Sequence, residues 1–124
     1  MIFKNAEAFE SLQVLSEASE TGRLGFVIAK NRRKFLNELH EYCEIKDGLA
    51  SKYGKITPDG KFVIEAANVP DYLDELRPYE DIESDIAVTK VDEETFISGT
   101  LTSKQMFVLE WMIEDENDQK KEGN

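Results

Sequence analysis

An apolar stripe between positions 24 and 53 constrains the fold of this chain more than any other feature of its sequence. Seven apolar residues recur there at intervals of three, four or seven: Leu24, Ile28, Phe35, Leu39, Tyr42, Leu49 and Tyr53. Such intervals repeat on one face of an α-helix, and a helix of about thirty residues is roughly 45 Å long. Two positions that would complete the stripe hold Asn31 and Lys46. We expect either a bend at Gly48 or a helix that spans the whole molecule.

A first helix is predicted ahead of the stripe. Phe9, Leu12 and Leu15 recur at intervals of three, and Asn5 is placed to act as the N-cap. The polar cluster at 19–22 then favours a turn. We therefore expect a break between this first helix and the helix that carries the stripe.

Turn residues after the stripe predict a hairpin and a short helix. Pro58 and Gly60 suit the corners of a turn, so we expect the segment 55–65 to form a β-hairpin. Asn68 is expected to start a short helix. Pro78 is expected to end that helix, because proline has no backbone N–H to continue it.

The last part of the chain contains both strand and helix patterns. Residues 85–91 alternate with a period of two, which predicts a strand, and 95–98 is a candidate second strand. Thr102 and Gln105 have the spacing of a capping box ahead of an apolar run at 106–113. We expect this run either to fill the core under the long helix or to leave one edge as a dimer or partner contact.

Composition supports a single folded domain of the α+β class. The chain has 124 residues, of which 40% are hydrophobic and 33% charged, and this is enough apolar material for a core. We predict one α+β domain at 1–114, with a long central helix, shorter helices and a small antiparallel β-hairpin or sheet. Residues 115–124 are acidic and polar and are predicted to form a flexible tail.

Several function classes are disfavoured by what the sequence lacks. No run approaches the roughly 18 apolar residues of a membrane-spanning helix, and the first residues contain no apolar signal stretch, so we expect a cytoplasmic protein with no membrane partner. Cys43 is the only cysteine, which excludes an intrachain disulfide and fits a reducing compartment. His40 lies one helical turn before Cys43, but a mid-helix thiol beside acidic residues is not activated. We expect no metal, no cofactor, no catalytic residue and no enzymatic activity.

The net charge of −11 argues against nucleic acid as a direct partner, because phosphate binding requires Lys and Arg. The one basic cluster consists of Lys30, Arg32, Arg33 and Lys34. It has three interpretations: a nucleic-acid contact, a solvated face, or internal pairing with the acidic part of the chain. The overall negative charge makes the first of these the weakest.

Most of the net negative charge lies in one acidic segment, 71–94. Its ten acidic residues are Asp71, Asp74, Glu75, Glu80, Asp81, Glu83, Asp85, Asp92, Glu93 and Glu94. We interpret the segment either as a solvated surface that aids solubility or as an acidic face for a host or phage protein with a basic surface. Phe107 and Trp111 are candidates for an added hydrophobic contact.

Three stretches of the sequence carry a resemblance to known proteins. They are Ile-Ala-Lys-Asn-Arg-Arg-Lys at 28–34, Lys-Tyr-Gly-Lys at 52–55 with Asp-Gly-Lys at 59–61, and Leu-Glu-Trp-Met-Ile-Glu-Asp at 109–115. Together they resemble a group of small acidic proteins carried by phages and prophages of Gram-positive bacteria. The resemblance covers about residues 5–115 and implies a phage origin and a host-cytoplasm setting. It implies no activity and no site residues.

Two non-enzymatic functions follow from these expectations. The first is a phage-encoded inhibitor of a host nucleic-acid-binding defence enzyme, an anti-CRISPR protein or similar, that acts through an acidic, DNA-mimicking surface. The second is a virion or phage-assembly accessory protein that oligomerises through its apolar helices, for example as a homodimer. The first function requires the carboxylates of the acidic segment to gather into one continuous patch.

Overall fold

The computed structural model describes residues 1–115 of the chain. Within this range six α-helices lie at Asn5–Glu17 (α1), Gly22–Glu38 (α2), His40–Tyr53 (α3), Val69–Glu80 (α4), Glu93–Ile97 (α5) and Ser103–Val108 (α6). Four short strands lie at Ile2–Lys4 (β1), Gly54–Ile56 (β2), Phe62–Ile64 (β3) and Glu83–Asp85 (β4), with 3-10 turns at Ala66–Asn68 and Glu110–Met112. The predicted α+β class is confirmed. The predicted tail at 115–124 lies, apart from its first residue, outside the described residues.

The apolar stripe is carried by two successive helices, α2 and α3, rather than by one. Leu39 separates them, with φ of −95° and ψ of 9°, and its side chain is fully buried. α2 packs against α1 and α5, whereas α3 packs against α4 and the hairpin of β2 and β3. The break therefore lets each half of the stripe meet different partners. Gly48, a predicted site for a bend, lies inside α3.

Two antiparallel sheets of two strands each accompany the helices. The hairpin of β2 and β3 forms where the sequence predicts it, with Ile56 opposite Phe62. β1 pairs with β4, so that Phe3 lies opposite Ser84. This second pairing ties the start of the chain to the middle of the acidic segment.

The strand predicted at 85–91 is wrong beyond Asp85, where β4 ends. Ile86 still exchanges backbone hydrogen bonds with Met1, and residues 87–90 then run along α2 instead of pairing with a strand. The side-chain amide of Asn31 donates to the Thr89 carbonyl at 2.9 Å, and the Asn31 side-chain oxygen accepts from the Thr89 N–H at 2.8 Å. Because a side chain of α2 satisfies this backbone, no further strand is needed.

Two other predictions in the second half of the chain are also wrong. The candidate strand at 95–98 belongs mostly to α5, because the Asp92 carboxylate caps that helix by accepting from the Thr95 N–H at 3.0 Å and from the Thr95 hydroxyl at 2.7 Å. Pro78 lies inside α4, which continues to Glu80. A proline in the last turn removes one helical hydrogen bond but does not stop the chain from completing that turn.

Asn5 joins α1 to the acidic segment rather than capping α1. The N-cap of α1 is Lys4, and Asn5 is the first helical residue. The Asn5 amide donates to the Tyr79 carbonyl at 3.0 Å, and its side-chain oxygen accepts from the Ser84 hydroxyl at 2.8 Å. The buried side-chain amide of Asn5 therefore makes a tertiary contact, and the sequence around Asn5 does not predict this contact.

The core closes on an aromatic cluster from three distant parts of the chain. The Trp111 ring stacks on Phe35 with a centroid distance of 5.1 Å, and Phe3 meets both rings edge-on at 5.6 and 5.2 Å.

The predicted capping box of Thr102 and Gln105 is present at the start of α6. Some side chains of the apolar run after it fill the core and others stay exposed, and the dimer or partner contact at its edge stays a prediction.

Candidate functional site

The ten residues of the acidic segment fall into three groups in the structure. The first group lies on α4 and consists of Asp71, Asp74 and Glu75. The second lies at the C-terminal end of α4 and along β4 and consists of Glu80, Asp81, Glu83 and Asp85. The third lies at the start of α5 and consists of Asp92, Glu93 and Glu94.

The group on α4 is largely paired with cations of the same chain. Asp74 and Glu75 follow Asp71 by three and four residues, which places them on the same side of the helix as Asp71. Asp74 lies 3.2 Å from the Arg77 guanidinium, and Glu75 lies 2.8 Å from Lys52 Nζ. The hydrogen bond from Lys52 holds the pKa of the Glu75 carboxyl below its usual value. Asp71 makes no ion pair with the residues that the structure describes.

The group around β4 faces cations from the start of the chain. Asp81 lies 3.8 Å from Lys4 Nζ, and Asp85 lies 2.9 Å from the amino group of Met1. In the ladder of β1 and β4, Glu83 stands directly opposite Lys4. These exposed contacts reduce the negative potential around β4, although each is worth little in water.

The group at α5 lies far from the other two. Arg23, in the first turn of α2, lies 4.0 Å from Asp92, whereas Lys34, near the other end of α2, donates to the Ala87 carbonyl at 2.5 Å. These two positions are separated by about 16 Å along the helix axis. Residues 87–92 therefore run along most of the length of α2 before the chain enters α5.

The single acidic face predicted from the sequence stays a prediction, and its ten carboxylates are spread over α4, the region of β4 and the start of α5. Five of its carboxylates lie within ion-pair distance of cations in the same chain. The five that make no ion pair with described residues are Asp71, Glu80, Glu83, Glu93 and Glu94. Neighbours in the sequence are separated because β4 binds β1 and the following residues are held along α2.

A groove between α3 and the turn from α4 to β4, the α3–α4 groove, gathers carboxylates beside apolar side chains. It has a volume of about 170 Å³ and is lined by Asn5, Glu38, Glu41, Tyr42, Ile45, Tyr79, Ile82 and Ser84. Tyr79 is 38% exposed and Ile82 51% exposed. Glu38 and Glu41 are both exposed. The groove thus offers a partly apolar floor with a negatively charged edge.

Two phenols, Tyr42 in this groove and Tyr72 on α4, have raised pKa values, first because they are buried and second because carboxylates lie nearby. Burial, followed by the negative charge of Glu80, raises the pKa of Tyr42 from 10.0 to about 12. Burial, followed by the charges of Glu80 and Asp47, also raises the pKa of Tyr72. The Tyr42 phenol therefore stays protonated at neutral pH, where it can act as a hydrogen-bond donor.

Glu38, Glu41 and Ile45 are residues of the groove that the sequence reading did not select. Glu41 and Ile45 are four residues apart on one side of α3, which is the signal that points to them, whereas Glu38 is the last residue of α2. Their connection with Tyr79 and Ile82 has no such local signal, because it depends on how α4 packs against α3. A pattern search along the chain finds the acidic residues but not the groove.

Phe107 and Trp111, the predicted hydrophobic contact, line a separate groove between α1 and α6. Phe107 is 79% exposed. Trp111 is half-buried, and its indole N–H donates to the Ser11 hydroxyl at 3.1 Å. The structure therefore brings the two residues to one surface, with Phe107 accessible and Trp111 held in place by its hydrogen bond and by stacking on Phe35.

Neither His40 nor Cys43 is arranged for nucleophilic chemistry. His40 Nε2 lies 3.0 Å from Glu44 Oε1. Cys43 packs against the core, and burial raises the pKa of its thiol, whereas a thiol nucleophile requires a lowered pKa. Within residues 1–115 no three acidic, histidine or cysteine side chains are grouped closely enough to hold a metal ion. No helix in the same range combines the length and apolarity needed to cross a bilayer.

Comparison with known proteins gives no relative from which a function could be transferred, since no family model, curated protein or solved structure matches this chain. The resemblance to small acidic phage proteins stays a prediction. The case for a function therefore depends on the grooves and charges described above.

Proposed function

We propose that this protein is a non-enzymatic binding factor that holds a partner protein with a basic surface through the α3–α4 groove. The observation that carries the proposal is the placement of Glu38 and Glu41 beside the exposed side chains of Tyr79 and Ile82. Aromatic and aliphatic side chains supply contact area at protein interfaces, while charges at the edge guide the partner and select it. A lysine or arginine that lies beside an apolar side chain on the partner matches this arrangement.

In its specific form, the proposal is a phage-encoded inhibitor of a host nucleic-acid-binding defence enzyme that acts in the host cytoplasm. The net charge of −11 supports this form, because an enzyme that binds phosphates presents the lysine and arginine side chains that carboxylates attract. The resemblance to phage proteins supports the origin. The acidic surface of the groove is smaller than the predicted ten-residue face, so it competes for a few basic side chains rather than copying a length of duplex.

A virion or phage-assembly accessory protein is the second candidate. The observation that favours it is the exposure of Phe107 on α6, since an exposed aromatic side chain is typical of a contact between subunits. This candidate requires the protein to be present in purified particles at a fixed copy number. Quantitative mass spectrometry of purified particles distinguishes the two candidates, because a regulator of a host enzyme is not expected in the particles.

The first candidate is tested by affinity capture from a nuclease-treated lysate of the host cells, with mass spectrometry of the retained proteins. We expect the wild-type protein to retain a basic protein that the variant Glu38→Gln/Glu41→Gln loses. The matched control is Glu93→Gln/Glu94→Gln, which removes the same charge from exposed positions at α5 and should retain the partner. Equal retention by the groove variant and the wild type would rule out the α3–α4 groove as the binding site.

A further inference from the structure

We infer that the groove between α1 and α6 binds the outer face of α2 of a second copy of this chain. The inference concerns residues that the α3–α4 groove does not use, and it holds whichever of the two functions above is correct. It also gives a role to the basic cluster on α2, which the proposed function leaves unexplained. Three observations support it: the shape of the groove, its charge, and the match with α2.

The α1–α6 groove is continuous along both helices. Two adjoining cavities of about 190 and 280 Å³ share Glu10 and Val108 in their walls. Phe107 stands at the edge of the first cavity and is 79% exposed. Trp111 also lines this cavity and is fixed by its hydrogen bond to Ser11. A rigid aromatic wall loses little freedom when a partner binds, which favours its use as a contact.

The α1 side of this groove is acidic. Glu7, Glu10 and Glu17 line it from α1, at intervals of three and seven that keep them on one side of the helix. None of the three makes an ion pair with another residue of the described range. Lys104 is the one cation among the described lining residues. The groove therefore favours a partner that brings positive charge together with apolar side chains.

The outer face of α2 has both properties. Phe26, Lys30 and Arg33 follow one another at intervals of four and three, which aligns them on one side of α2. Phe26 is 69% exposed, and the two cations make no ion pair within residues 1–115. The overall charge of the chain makes this basic, apolar face unsuited to a nucleic acid, but the charge of the α1–α6 groove is complementary to it.

The two surfaces also match in spacing and length. Glu7 and Glu10 on α1 are three residues apart, as are Lys30 and Arg33 on α2, so both pairs span about 4.5 Å along their helix axes. The acidic row from Glu7 to Glu17 covers about 15 Å, which is enough for about ten residues of a docked helix. A contact of this kind joins two different surfaces, so each copy uses its groove for one neighbour and its α2 face for another. The contacts close into a symmetric ring if the geometry permits.

The test is a charge exchange measured by light scattering and sedimentation at about 0.15 M salt, where charges in contact still interact but long-range repulsion between acidic copies is screened. We expect the wild type to form an assembly of at least twice the mass of the 14.2 kDa chain. Glu7→Lys/Glu10→Lys and Lys30→Glu/Arg33→Glu should each weaken the association about tenfold or more. The combination of all four changes keeps the net charge and should restore the association.

Controls separate a lost contact from a lost fold. All the altered side chains are exposed, and circular dichroism should show unchanged helix content in each variant. Phe107→Ser should also weaken the association, whereas Ile97→Ser, at another exposed apolar position on α5, should not. A wild type that remains monomeric, reversal variants that still associate, or a four-residue exchange that fails to restore association would each overturn the inference. A change in partner capture at the α3–α4 groove would not bear on this inference, because that groove and the α1–α6 groove are lined by different residues.

Discussion

Asn31 and Lys46 occupy the two polar positions in the apolar stripe, and the structure gives each a specific contact. Asn31 is fully buried and exchanges two hydrogen bonds with the backbone of Thr89. Lys46 Nζ lies 4.3 Å above the centre of the Phe9 ring, a geometry in which a cation is attracted to an aromatic face. The pattern of the stripe identifies both positions as polar interruptions. It does not predict the contacts with Phe9 and Thr89, because those residues lie in other parts of the chain.

Replacement of Asn31 should show how strongly this side chain holds residues 86–90. Asn31→Leu keeps the volume of the side chain but leaves the N–H and C=O groups of Thr89 without partners. We expect the free energy of unfolding to fall by about 2–4 kcal/mol, as measured by urea denaturation. Asn37→Leu, at an exposed position of the same helix, should change it by less than about 0.5 kcal/mol. Equal effects of the two substitutions would contradict the contact with Thr89.

The raised pKa of Tyr42 makes a prediction about alkaline pH. Burial raises the pKa of Tyr42 from 10.0 to about 12, so the folded protein binds this proton more tightly than the unfolded chain does. The corresponding stabilisation is complete below about pH 10 and is lost as the pH rises toward about 12. The free energy of unfolding of the wild type should therefore fall more steeply over this interval than that of Tyr42→Phe. Parallel curves for the two proteins would show that Tyr42 ionises normally.

At the scale of elements, the sequence predicts best what a few neighbouring residues decide. The capping box of Thr102 and Gln105 is correct because both of its hydrogen bonds close within four residues. The hairpin at 55–65 is correct because its turn residues fix its geometry locally. The strand at 85–91 is wrong because its partner, β1, lies more than eighty residues away, and nothing in the segment itself states where pairing stops.

Two glycines inside helices should respond in opposite directions to alanine. A Cβ on Gly25 would lie 2.4 Å from the backbone oxygen of Glu20, whereas nothing lies within 4 Å of a Cβ on Gly48. Gly48→Ala should therefore raise the free energy of unfolding by about 0.5–1 kcal/mol through helix propensity alone. Gly25→Ala should lower it by about 1–3 kcal/mol, because the turn between α1 and α2 must move. Thermal and urea unfolding measure both, and a stabilised Gly25→Ala would show that this turn is not tightly packed.

At the scale of the whole molecule, the sequence states how much charge the chain carries but not where the fold places it. The ten carboxylates of the acidic segment are close in sequence, yet they lie on α4, around β4 and at the start of α5, and five of them meet cations of the same chain. The residues that line the α3–α4 groove come from five elements and from the turn after α4. Such a site depends on tertiary packing, so only its individual acidic and aromatic residues are visible in the sequence.

The proposed function requires that carboxylates at the α3–α4 groove bind a basic partner. Its most direct test is the dissociation constant of the complex with the captured partner, measured at about 0.1 M and about 0.5 M salt for the wild type and for Glu38→Gln/Glu41→Gln. The affinity of the wild type should fall on the order of tenfold or more at the higher salt, while the variant should bind weakly at both. Identical constants for the two proteins at both salt concentrations would show that the partner binds elsewhere.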